Sequence, residues 1–312
     1  MAPCAESGRI DAWVECVTPD LPSWADAWCR RVLGAKAVAL LFLVSHLSEV
    51  VGLRLADGRE VVVKRRSDRA GRTRSCVTAQ RLLAEQGFPC PIPVTEVIFD
   101  GDVAVHAEWF VEGGEIDTAD TPAAAARSAA LLADLIRRTS PFDLDPPLPN
   151  PEWVRWDALA VRQRTAAVPE WMEETEARVQ AKLSAYELPP VLGHADWEAQ
   201  NMHWQRSQPL AVHDWGSLAW LPEATLAGSA SGVFSTHGEP VLAPIESSAA
   251  FLRAYEEARG ARFSRHETEI AWAASMWVAL HNSRDELLHG RPPLSFDSLK
   301  AQRAERLSRA RA

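Results

Sequence analysis

A change of punctuation near residue 112 constrains the fold more than any other feature of the chain. Before it, short β-branched runs at Leu40–Val44, Val50–Leu55, Glu60–Lys64, Val94–Phe99 and Val103–Phe110 alternate with tight-turn residues. Asp57-Gly58 joins the second run to the third, and Asp100-Gly101-Asp102 joins the last two, both strong hairpin signals. A helical start at Leu21–Val32 precedes the runs. One further helix passes through Leu82-Leu83 and stops near Gly87, with prolines beyond. These signals predict a five-stranded sheet with one helix between its strands. After Glu112-Gly113-Gly114 helix signals take over. Thr121-Pro122 and Asn150-Pro151 each place a capping residue before a first-turn proline, and Ala123–Ala133 is a good helix former. Ser264-Arg265-His266-Glu267 reads as a capping box opening one long helix that ends near Gly290. A single β interruption, Val191-Leu192, Met202–Trp204 and Ala211–His213 around the turn Arg206–Pro209, breaks the helical part. The chain therefore reads as α+β in two lobes. Residues 1–111 form the small β-rich lobe, residues 112–312 the larger, mainly helical one, and 112–116 the hinge.

Composition narrows the classes of function. With 312 residues, 47% hydrophobic and 24% charged, the chain is of ordinary globular type, which excludes coiled coil, collagen and disorder and leaves each lobe able to bury a core. The longest apolar run, Ala37–Val44, is far short of a membrane span. MAPCAESGRI lacks the basic and apolar regions of a secretory signal, so a cytoplasmic protein is expected. Five cysteines, Cys4, Cys16, Cys29, Cys76 and Cys90, include no C-x-x-C pair and read as reduced thiols. The net charge of −9 is unevenly spread: residues 1–111 carry 13 basic and 14 acidic side chains, residues 112–299 carry 15 and 27. An acidic surface repels phosphate backbones, which argues against a nucleic-acid partner and favours a cationic small molecule. Oligomeric state leaves no trace in the sequence.

The β interruption carries the chemistry. It reads GHADWEAQN and then HDWG, with Asp196 two residues after His194, Asn201 five after Asp196, and Asp214 thirteen after Asn201, beyond a hairpin. Phosphoryl transfer uses such a set: an Asp that accepts the substrate hydroxyl's proton, an Asn five residues on that holds Mg²⁺, and the Asp of an Asp-x-Gly that holds the metal from the next hairpin. The reaction runs on positioning and charge neutralisation, so oxygen ligands for Mg²⁺ are its minimum. A lysine ending an upstream strand must neutralise the phosphates, and Val61-Val62-Val63-Lys64 supplies it.

Lys64, H-A-D-W-E-A-Q-N at 194–201 and D-W-G at 214–216 together resemble the aminoglycoside phosphotransferase and choline kinase-like family, relatives of the protein kinases, over about residues 38 to 290. The resemblance implies a two-lobed protein-kinase-like fold and transfer of the γ-phosphoryl group of ATP, or GTP, to a hydroxyl of a small molecule. It implies Asp196 as catalytic base, Asn201 and Asp214 as Mg²⁺ ligands, and Lys64 as phosphate contact. Glu108 to Phe110 would line the base through backbone groups, and the long C-terminal helices would form the acceptor pocket.

The chain also departs from the family pattern. The phosphate-covering loop is Val44-Ser45-His46-Leu47-Ser48-Glu49-Val50, with Gly52 the nearest glycine and Ser48 standing in through its hydroxyl and amide. Cys76–Gln80 offers no acid to orient Lys64, and Glu85 lies about two turns too late, so Lys64 is expected to lack its ion pair. Leu135-Ile136-Arg137-Arg138 and Pro222-Glu223-Ala224-Thr225 replace a Leu-His and an Asp of the family. Two other readings stay open. A non-catalytic nucleotide-binding pseudokinase would explain the missing glycines and helix acid, and His194, Asp196, His203, His213 and Asp214 could serve a metallohydrolase. Several residues are expected to be structural: His194 bracing its loop, His213 packing on its strand, Arg65, Arg66, Arg69, Arg72 and Arg74 as a solvated basic link, and Trp272 and Trp277 in the core.

Overall fold

The computed structural model describes residues 21–45, 48–154, 168–185, 187–237 and 241–312. Two compact units emerge. One holds the chain up to Glu115 with Leu144–Leu148 and Leu210–Gly216; the other holds Ile116–Asp143, Pro149–Pro209 and Ser217–Ala312.

The first unit begins with α1 (Ser23–Val32), then β1 (Ala37–Ser45), β2 (Glu49–Leu55) and β3 (Glu60–Ser67), α2 (Thr73–Glu85), β4 (Ile98–Asp100) and β5 (Val103–Trp109). The strands form one antiparallel sheet in the order β1-β2-β3-β5-β4, the five-stranded sheet expected. Gly58 bends the β2–β3 turn at φ 87°, a conformation that favours glycine. Side chains alternate across a strand, so Val61, Val63, Val105 and Ala107 point to one face, where they pack with Val51, Leu53 and Leu55 against Ala25, Trp28 and Cys29 of α1. Val62, Lys64, His106 and Glu108 take the other face. Gly52 sits in mid-strand beneath the ring of Phe42, which a Cβ there would strike. It is a packing glycine.

The second unit contains α3 (Pro122–Thr139), reached through a two-residue β6 (Glu115–Ile116), then α4 (Glu170–Leu183), β7 (Pro190–His194), β8 (Met202–Gln205), β9 (Gln208–Val212, crossing into the first unit), β10 (Leu218–Pro222), α5 (Glu223–Val233), α6 (Ile245–Arg259), α7 (Arg265–Ala274), α8 (Trp277–His289) and α9 (Leu294–Ala310). Thr121 caps α3 by accepting from the Ala124 amide, and Ser264 and Glu267 form the capping box of α7. Two expectations need correction. The helix from Ser264 is interrupted at Ser275-Met276, where the Ser275 hydroxyl donates back to the Trp272 carbonyl and accepts from Arg306 Nη1, both at 2.7 Å. Such back-bonding competes with the helix ladder and bends it. Asn150 caps no helix; its side chain grips both backbone groups of Trp220, at 2.7 and 2.8 Å, and the described chain beyond it is one 3₁₀ turn, Glu152–Val154.

Within this unit α5 is buried on every side from Ala224 to Val233, surrounded by α3, α6, α7 and α8. Gly228 and Gly232, one turn apart, let it approach the backbone of Ala271 and Ser275, whose carbonyls a Cβ at either glycine would meet. At the end of the chain Glu286 of α8 accepts the Ser295 and Phe296 amides at 2.7 and 2.9 Å, satisfying the first turn of α9. Among the described residues no helix is long and apolar enough to cross a membrane.

Candidate active site

In the sheet, Lys64 stands opposite His106, and Glu108 lies two residues further along β5 on the same face. This diagonal neighbour is within reach of a long side chain. Lys64 Nζ lies 2.7 Å from Glu108 Oε1, with the Glu108 side chain 2% exposed. Lys64 thus has an acidic partner, against the expectation that it would have none. The acid comes from the neighbouring strand, and the position on α2 where one was sought holds Gln80. Gln80 Nε2 donates to Glu108 Oε2 at 2.9 Å and to the Pro91 carbonyl at 2.7 Å, so both carboxylate oxygens are engaged. The signal lay in the alternation of β3 and β5, which puts Lys64 and Glu108 on one face once the strands are paired in register. Beside them, burial, helped by the positive charge of Lys64, pushes the His106 imidazole down to about 4. At the end of β5 the Phe110 amide donates to the Glu60 carbonyl at 3.1 Å. Ser48 begins the lead-in to β2; His46 and Leu47 of the expected phosphate loop lie outside the described residues.

The D-W-G segment belongs to the same unit. Asp214 is exposed and adopts φ 53°, a left-handed conformation that Asp tolerates better than most residues. Trp215 fixes it from behind: the buried indole donates to the Val212 carbonyl at 2.9 Å and stands edge-on to Phe88 at 5.9 Å, while the Val212 amide donates to Pro89 at 2.8 Å. Gly216 is held by arginines. Arg72, buried at the start of α2, donates to its carbonyl at 3.1 Å, and the Arg66 guanidinium occupies the space a Cβ would need. These two residues were expected in a solvated link. They serve instead to seat the glycine, whereas Arg69 pairs loosely with exposed Asp102 and Arg65 with Glu49.

In the second unit the loop after β7 holds Asp196 and Asn201. Antiparallel pairing of β7 with β10 sets its start, with His194 opposite Leu218 and the Ala195 amide donating to Ser217 at 2.9 Å. The buried Trp197 indole anchors it by donating to Ser128 of α3 at 2.9 Å, and the His194 ring packs edge-on against Trp197. A 3₁₀ turn, Ala199–Asn201, then carries Asn201 back so that its Nδ2 donates to both the Asp196 carbonyl and Asp196 Oδ2, each at 2.9 Å. The amide nitrogen is spent on Asp196, and Oδ1 is the donor left to a cation. Desolvation, with Asp196 nearby, raises the Glu198 carboxyl well above the usual carboxylate range.

The sequence profile of the phosphotransferase enzyme family matches residues 45–268. The chain belongs to this family. It is a small-molecule phosphotransferase with a kinase-like α+β fold. Solved structures share that fold at low identity. An amicoumacin kinase, determined with AMP-PNP, Ca²⁺ and its antibiotic, is 13% identical, with 86% of this chain and 88% of that one covered and a TM-score of 0.65. A spectinomycin phosphotransferase, with ADP and spectinomycin, is 12% identical over 92% and 98%, TM-score 0.59. A choline/ethanolamine kinase family protein from Mesorhizobium loti is 17% identical over 92% of each chain, TM-score 0.59. No curated protein sequence matches the chain.

The remaining residues of the phosphotransferase fall into place as structure. Among the described residues no group of three or more His, Cys, Asp and Glu is arranged to hold a metal. Trp272 and Trp277 are buried, the former beneath the guanidinium groups of Arg306 and Arg309. Arg137 and Arg138 both pair with Asp134, and Glu223 accepts from Tyr255 at 2.8 Å. Cys29, Cys76 and Cys90 are free thiols that burial pushes up to about 11, 11 and 12, so they stay protonated and inert. Cys4 and Cys16, like the first twenty residues, lie outside the described residues.

Proposed function

We propose that the phosphotransferase moves the γ-phosphoryl group of ATP, or GTP, to a hydroxyl of a small cationic molecule, giving an O-phosphate ester. The observation that carries this reading is the double donation of Asn201 to Asp196, which holds a carboxylate in one orientation beside an amide oxygen. Asp196 takes the acceptor's proton as the phosphoryl group arrives, and Lys64 bears on the phosphates. Ser48 and the end of β5 at Glu108 and Phe110 hold the nucleotide. Asn201 and Asp214 would hold Mg²⁺: both offer hard oxygen donors, as Mg²⁺ requires, and Asn201 has its nitrogen turned away on Asp196. The ion supplies neutralisation of phosphate charge. The relatives bound to AMP-PNP and ADP, and the antibiotics beside them, support nucleotide use and a small acceptor. The acidity of residues 112–299 supports a cationic one, since acidic clefts concentrate cations. A chain that consumes nucleoside triphosphate works in the cytoplasm, where the triphosphate is.

The test is mass spectrometry of Mg²⁺-ATP and Mg²⁺-GTP reactions with hydroxylated amines, aminoglycosides, neutral alcohols and acidic alcohols. A gain of one phosphoryl group on a cationic acceptor is expected. Phosphorylation only of anionic or protein acceptors overturns the reading, and nucleotide binding without transfer to any acceptor would favour the pseudokinase.

A further inference from the structure

We propose that Glu108, a strand residue, is the positioning residue for Lys64, and that Gln80 fixes Glu108 in turn, so that the phosphate-facing lysine is held from within the sheet. The inference rests on the nucleotide reading above and goes beyond it by assigning roles to two side chains. Three observations carry it. Lys64 Nζ and Glu108 Oε1 are 2.7 Å apart across adjacent strands whose register is fixed by the β3–β5 ladder. Glu108 is buried, and its other oxygen accepts from Gln80 Nε2, itself tied to the Pro91 carbonyl, so the carboxylate cannot swing away. Among the described residues the ion pair of Lys64 is with Glu108, and the strand neighbours on this face are His106, opposite it, and Arg66, two residues on. Removing one partner of a buried, hydrogen-bonded ion pair leaves the other without compensation, which is why such pairs are sensitive to single substitutions.

The consequence is mechanical. Lysine and acid are brought together by hydrogen-bonded strands, and α2 adds a neutral amide that holds the carboxylate toward the lysine. The Glu108 carboxylate acts through Lys64, while the nucleotide is met by backbone groups at the end of β5.

A double-substitution cycle tests this on four full-length proteins: wild type, Lys64→Ala, Glu108→Gln and the double variant. Calorimetry measures the affinity of Mg²⁺-AMP-PNP, and thermal unfolding reports the pair without nucleotide. Glu108→Gln should weaken binding about tenfold or more in the wild-type background, the scale of a lost charge-assisted hydrogen bond, and less than about twofold once Lys64 is Ala. It should lower Tm when Lys64 is present and raise it when Lys64 is absent, because it then removes a stranded buried charge. Equal losses of affinity in both backgrounds overturn the inference, as does a Tm change of the same sign in both. Binding that Glu108→Gln leaves intact overturns the positioning role alone, whereas a wild-type protein that binds no nucleotide overturns the nucleotide reading and this role with it.

Discussion

Asp196 and Asn201 are tied together at the reacting group: one amide nitrogen is divided between a carbonyl and a carboxylate of the same residue. Asp196→Asn should therefore lower kcat by at least about 10²-fold, the usual scale for removing a general base, with nucleotide affinity nearly unchanged. Steady-state kinetics beside direct binding would check it, and an unaltered kcat would move the base elsewhere. Asp214→Ala should abolish transfer while the circular dichroism spectrum stays native, since the buried Trp215 indole anchors the segment. His106 yields a prediction of a different kind. Its imidazole takes a proton near pH 6.5 when unfolded but only near about 4 when folded, so below pH 6.5 the unfolded chain binds more protons and stability falls with pH. By pH 5 the wild type should have lost about 2 kcal/mol relative to His106→Leu, judged from urea unfolding at pH 7 and pH 5. Parallel pH profiles for the two proteins would show that the buried ring is not the source.

The elements differ in how far the sequence announces them. β2 and β3 were legible because apolar alternation and an Asp-Gly turn act over a few residues, and the capping box at Ser264 is equally local. The pairing of Asp196 with Asn201 is local for the same reason, a property of one short stretch. What escaped was set by distant partners. Glu108 meets Lys64 only through strand pairing, and the break at Ser275 depends on Arg306, a helix and a half further on. Arg66 and Arg72 looked like a solvated run because Gly216, which they hold, is far away in sequence. Two predictions belong here. Gly228→Ala and Gly232→Ala each thrust a methyl group at a backbone carbonyl that cannot rotate aside, so each should destabilise by about 1–3 kcal/mol or more, measurable by denaturant unfolding. Ser264→Ala should cost about 1 kcal/mol through loss of the cap alone, and a larger effect would mean that Ser264 does more than close the first turn.

At the scale of the molecule the two units place their stability differently. The first rests on a sheet covered by α1, the second on a helix with no solvent face. Hydrogen exchange should find the amides of α5 among the slowest in the second unit, exchanging only on global opening of that unit, and fast exchange there would contradict the burial of Ala224 to Val233. The same helix carries a consequence for synthesis. A helix with no solvent face draws its stability from tertiary packing, and the residues that accept its two glycines, Ala271 and Ser275, are translated after it. At roughly 5–20 residues per second, the intervening stretch of about forty residues takes several seconds to emerge. During that interval the nascent chain shows a segment destined for full burial with no counterpart yet made, so newly made protein should lean on chaperones at this step more heavily than the finished enzyme ever does.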